Sequence, residues 1–102
     1  MERIYSMVNE GKAREKIARA EKAEALLRNE ILTEGFAYLE EQFTQAWKRS
    51  AVDDTENRER LYMLCQNLDA LKGYINKVVE DGKLANAALK ELQNRVKFEK
   101  RK

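Results

Sequence analysis

Apolar residues recur every three or four positions along most of the chain, which is the spacing of an amphipathic α-helix. In the first half they form a stripe that shifts by one position midway, made up of Ile17, Ala20, Ala23, Leu27, Ile31 and then Leu32, Phe36, Leu39, Phe43, Ala46, Trp47. The shift falls near Asn29, Thr33 and Gly35, which are weak helix formers, so one interpretation is a kink or a helix boundary. We favour a single long bent helix in a first arm of residues 12–49.

A second arm follows a predicted turn at residues 50–54. Asp53 and Glu56 have the spacing of a capping box and predict the start of a helix over residues 55–100. Its stripe has the spacing of a heptad repeat and consists of Leu61, Leu64, Leu68, Leu71, Ile75, Val78, Gly82, Ala85, Leu89, Leu92 and Val96. An interruption at residues 81–83 is an alternative, because Asp81-Gly82 would normally stop a helix. The unbroken phase of the stripe favours a helix that continues or resumes in register.

The two arms predict an all-α fold, namely a long antiparallel helical hairpin of coiled-coil type that forms one domain over residues 1–102. Residues 1–11 are expected to add a short helical extension. Folding the chain about residue 51 or 52 places Ala20 and Ala23 opposite residues 79–82. Gly82 would then permit a close approach of the two backbones.

The composition disfavours catalysis. The chain of 102 residues contains no histidine, so the commonest general base and metal ligand are missing, and it has no phosphate-binding or hydrolase motif. We therefore predict a protein that is not an enzyme, with no catalytic residue, no metal site, no cofactor and no small-molecule substrate. The single cysteine, Cys65, is expected to be a buried core residue. No stretch of the chain looks like a membrane span or a secretory signal, which favours a cytoplasmic protein without membrane contact.

Positive charge is concentrated at the C-terminus. Residues 83–102 contain seven Lys and Arg but only two Glu, whereas the chain as a whole has a net charge of +2. The candidate contact residues for DNA or an acidic partner are Arg95, Lys97, Lys100, Arg101 and Lys102. The alternative is that these cations only stabilise the helix C-terminus and keep it soluble.

Large side chains beside the stripes are candidates for protein interaction: Tyr38, Trp47, Tyr62, Met63 and Tyr74. A hairpin buries one stripe per helix, so the remaining apolar side needs a third surface. That surface is another copy of the chain, a different partner, or the N-terminal segment folded back. We favour a homo-oligomer.

Several short segments, at residues 25–29, 36–40, 46–47, 54–61 and 80–85, resemble those of short helical proteins that tailed bacteriophages and prophages encode among their packaging and virion genes. Small terminase subunits are the nearest well-understood analogy, although this chain has no separate N-terminal helix-turn-helix domain. The resemblance implies a part in virion assembly or DNA packaging, with DNA or another phage protein as partner, in the host cytoplasm or in the virion. A second hypothesis is a small phage inhibitor or adaptor that binds a host protein through its aromatic surface.

Overall fold

A computed structural model describes residues 9–100 of the chain, with Lys100 described by its backbone alone. Three helices account for nearly all of these residues: α1 (Glu10–Leu27), α2 (Glu30–Arg49) and α3 (Thr55–Lys100). The predicted all-α class is confirmed, and no strand occurs between residues 9 and 100. Of the predicted N-terminal extension, Glu10 and Gly11 belong to α1 and residues 1–8 lie outside the described part.

The first arm is two helices, so the prediction of one long bent helix is wrong. The side-chain oxygen of Asn29 accepts a hydrogen bond from the Leu32 backbone N–H at 3.0 Å, and Asn29 itself is extended. The Thr33 hydroxyl also donates to the carbonyl oxygens of Asn29 and Glu30. Asparagine is among the strongest N-cap residues, and here its cap starts a new helix instead of continuing the old one.

The predicted turn at residues 50–54 is confirmed, but the residue that caps α3 is not the predicted one. The backbone N–H of Ser50 donates to the carbonyl of Trp47 at the end of α2. A capping box with Asp53 as the N-cap would start the helix at Asp54, whereas α3 starts at Thr55. The Asp54 carboxylate accepts a hydrogen bond from the Asn57 backbone N–H at 3.4 Å. Asp53 and Glu56 therefore do not form the predicted box.

Helix α3 is continuous through Gly82, so the alternative of an interruption at residues 81–83 is wrong. In the compact unit that pairs α1 with the second half of α3, Gly82 is buried against Ala20. A Cβ on Gly82 would lie 3.0 Å from the Lys16 carbonyl oxygen, and closer to the Ala20 Cβ than real Cβ atoms come. The predicted proximity of Ala20 and Gly82 is confirmed, and the glycine serves close helix packing.

The second compact unit, residues 26–75, is a helical hairpin of α2 and the first half of α3. Its buried α3 residues recur every seven positions, at Leu61, Leu68 and Ile75. Between them the half-buried positions are Cys65 and Lys72, and not the predicted Leu64 and Leu71. Cys65 is thus only half-buried, contrary to the prediction of a core residue. The predicted heptad period is correct. The stripe that faces α2, however, contains Cys65 in place of Leu64 and Lys72 in place of Leu71.

Candidate functional site

The hairpin of residues 26–75 has two different faces on either side of its buried stripe. An ion pair between the Glu40 carboxylate and the Lys72 ammonium bridges α2 and α3 on one face. Leu39 and Leu71 each precede one of these partners by one residue, which is a rotation of about 100° around a helix. They consequently lie across the buried stripe, on the opposite face.

The ion pair keeps the Lys72 face charged. Its hydrogen bond to Glu40 raises the pKa of Lys72 above its ordinary value of 10.5, and the nearby charges of Glu40 and Asp69 act in the same direction against partial desolvation. Lys72 is therefore a cation throughout the neutral pH range.

The opposite face, which we call the Leu71 face, is apolar and open to solvent. Its large side chains are Ile31, Tyr38, Leu39, Leu64, Leu71 and Tyr74. Leu71 is 51% exposed and Ile31 is 77% exposed, whereas Leu68 on the buried stripe is 7% exposed. Monomeric proteins rarely expose a contiguous apolar face of this kind unless it binds something.

Within the middle of this hairpin, charged residues lie on other sides than Leu39, Leu64 and Leu71. Within residues 31–46 of α2 and 64–74 of α3 they are Glu34, Glu40, Glu41, Asp69 and Lys72. By helical spacing, each lies on the Lys72 face or on the outer side of its helix. The Leu71 face is thus uncharged over these residues, whereas Arg60, one turn before Leu64, brings a charge to the face near the turn.

An open groove indents the Leu71 face at the junction of α1 and α2. It has a volume of about 550 Å³, and its lining includes Leu26, Ile31, Gly35, Tyr38 and Leu39. Gly35 contributes to the opening, because nothing lies within 4 Å of where its Cβ would be. The groove offers room for large side chains of a binding partner.

A smaller apolar pocket, which we call the turn-end pocket, lies near the turn at residues 50–54. Its volume is about 190 Å³, and it is lined by Phe43, Thr44, Trp47, Leu61, Tyr62 and Cys65. The Arg58 guanidinium stacks over the Trp47 ring, 4.8 Å from its centroid, which is a cation–π contact. Trp47 is nevertheless 48% exposed, so its ring is available at the rim of the pocket.

The predicted interaction residues are all exposed, but they do not form one surface. Tyr38 and Tyr74 belong to the Leu71 face, whereas Trp47 and Tyr62 line the turn-end pocket. Met63 lines neither the pocket nor the groove. These side chains thus lie on different sides of the hairpin, and their part in protein interaction stays a prediction.

Sequence reasoning missed the aliphatic part of the Leu71 face, because it assigned Ile31, Leu39, Leu64 and Leu71 to the buried stripes. A usable signal was present. Leu64 and Leu71 form a second apolar column beside Leu61 and Leu68, and one partner helix cannot cover both columns. The excess width of the stripe therefore indicated a surface for a further helix.

The basic C-terminal residues are only partly described. Arg95 forms an ion pair with Glu91 at 2.9 Å, one turn earlier on α3. Lys97 is exposed, while the side chain of Lys100 and the whole of Arg101 and Lys102 lie outside the described residues. Contact of this end with a polyanion thus stays a prediction.

Comparisons with family models, curated proteins and solved structures find no match for this chain. Within residues 9–100, no helix is long and apolar enough to cross a membrane. The surfaces of the helical hairpin are therefore the basis for assigning a function.

Proposed function

We propose that this protein is a non-enzymatic helical assembly protein that self-associates and acts in phage virion assembly or DNA packaging. The exposed apolar Leu71 face is the observation that carries the proposal. A protein surface of this kind is stabilised when another apolar surface covers it, by about 25 cal/mol per Å² of apolar area removed from water.

The limited core of the isolated chain supports the same proposal. No side chain in the described part is fully buried, and three of its eight buried apolar residues are alanines. Small helical domains with so little buried area commonly gain stability by assembling.

The phage setting rests on the resemblance of the short segments to phage packaging and virion proteins. In that setting the basic C-terminal residues, Arg95, Lys97, Lys100, Arg101 and Lys102, would contact DNA or an acidic phage protein. The protein would act in the host cytoplasm or remain in the virion.

Size-exclusion chromatography with light scattering, with and without a short DNA duplex, tests this function. We expect a closed oligomer of the 11.9 kDa chain whose elution shifts with DNA at low salt and not at physiological salt. A monomer that is indifferent to DNA at every salt concentration would overturn both parts of the proposal.

The turn-end pocket favours a second candidate function, that of a small phage inhibitor or adaptor for one host protein. An exposed tryptophan beside an apolar pocket is typical of the residues that dominate protein interfaces. This candidate predicts a monomer or dimer without DNA affinity. Its binding to the host protein would be lost in Trp47→Ala and retained in Leu71→Ala.

A further inference from the structure

We infer that the Leu71 face is covered by the Leu71 face of a second copy of this chain, with a two-fold axis relating the two hairpins. This inference rests on the proposed self-association and adds which surface is used and by which symmetry. The paired hairpins would form a four-helix bundle in which Leu39, Leu64 and Leu71 become core residues.

The distribution of charge favours a second copy as the occupant. A two-fold interface places the same surface patch on both sides, so a charge on the patch is compensated only where an opposite charge lies at the matching position of that same patch. The Leu71 face carries no charged residue at positions 31–46 and 64–74, so this part of it can meet its own copy without burying a charge. On the Lys72 face, Glu40 and Lys72 already pair within one copy, and a self-interface there would have to remove both charges from water.

The size of the face is sufficient for a dimer. Helix α2 has 20 residues and is therefore about 30 Å long, and two adjacent helices are about 20 Å wide. The face consequently offers roughly 600 Å² on each copy, or about 1,200 Å² in the pair, which reaches the range of specific interfaces.

The shape of the face also fits an interdigitating partner. The groove beside Gly35 is open, while Leu71 and Tyr74 project from the other helix of the same face. In a two-fold pair each copy presents both a groove and projecting side chains. The close-packed core that results is what distinguishes a specific dimer from loose apolar contact.

Gly35→Glu and Gly73→Glu are a matched pair of variants that tests the inference. Both glycines lie within a helix of the same hairpin, and an added Cβ meets nothing within 4 Å at either position. Both variants gain helix propensity and should fold. Gly35 lines the groove, whereas helical spacing places Gly73 on the outer side of α3, away from the Leu71 face.

Sedimentation of the full chain over a range of concentrations gives the dissociation constant of each variant. We expect Gly35→Glu to weaken self-association by at least about 100-fold, because each dimer would bury two uncompensated carboxylates. Gly73→Glu should match the wild type. Equal association of the two variants would overturn the inference.

Opposite charges introduced at Leu71 give an independent measurement of self-association. Recovery of a dimer on mixing the two variants would also show that both of them are folded. Leu71→Glu and Leu71→Lys should each be monomeric, while their equimolar mixture should recover a dimer. If the wild type is oligomeric and neither variant dissociates, another surface mediates assembly, so the inference fails while the proposed function stands. If the wild type is monomeric throughout, both fail. A monomer that binds phosphatidylcholine vesicles through this face would also overturn the inference.

Discussion

Gly82 of α3 lies so close to Ala20 of α1 that no side chain fits between the two backbones. A continuous helix thus contains a glycine where its sequence would normally end it, since close packing against α1 requires one. The approach of these two residues determines how tightly α1 and the second half of α3 pack in their unit.

Gly82→Ala should destabilise the protein. Overpacking costs about 1–3 kcal/mol, which exceeds the gain of about 1 kcal/mol from replacing a helical glycine. Chemical unfolding followed by circular dichroism measures the difference. Gly73→Ala is the control, and its open surroundings predict a stabilisation of about 0.5–1 kcal/mol. A Gly82→Ala variant at least as stable as the wild type would contradict the close approach.

Asn29→Ala should lower the free energy of unfolding by about 0.5–2 kcal/mol, because α2 loses its N-cap hydrogen bond. Asn29→Asp keeps an oxygen acceptor at the same position and should stay close to the wild type. Urea unfolding of the three proteins separates the cases. Equal stability of Asn29→Ala and Asn29→Asp would show that the cap does not hold this junction.

The Glu40–Lys72 ion pair should contribute stability at neutral pH that disappears in alkali. The raised pKa of Lys72 means that the contribution is fully present below its unfolded value of 10.5 and is lost as the pH rises through the folded value. The Tm difference between the wild type and Lys72→Met should therefore be constant from about pH 7 to 9 and shrink above about pH 10.5. A difference that persists in strong alkali would instead reflect packing of the lysine stem.

Charge reversal of Lys97, Lys100 and Arg101 to Glu should weaken DNA binding and flatten its dependence on salt, because fewer counterions are released on binding. Fluorescence anisotropy with a labelled duplex provides the measurement. Reversal of Lys48 and Arg49, which end α2, is the control and should leave binding unchanged. If binding at low salt survives the C-terminal reversal, these cations only keep the helix end soluble.

Helix content, the turn at residues 50–54 and the pairing of Ala20 with Gly82 could be predicted from the sequence, because each depends on periodicity or on one strong local signal. The break at Asn29 could not be predicted with the same certainty. A cap and a helix interior compete there, and asparagine is tolerated in both.

The position of the interaction surface was harder to predict. Leu64 and Leu71 have the same spacing as the buried Leu61 and Leu68. An apolar stripe that is wide enough to contact two helices does not show which of its two columns faces α2. The ion pair of Lys72 with Glu40 and the half-buried position of Cys65 show that the other side of α3 faces α2. These contacts between distant parts of the chain leave Leu64 and Leu71 on the open face.

Sedimentation equilibrium of the wild-type chain across a wide concentration range tests most directly whether copies of this protein associate. We expect a mass that is a whole multiple of 11.9 kDa and that falls towards one chain on dilution. A mass of one chain at every concentration would contradict it.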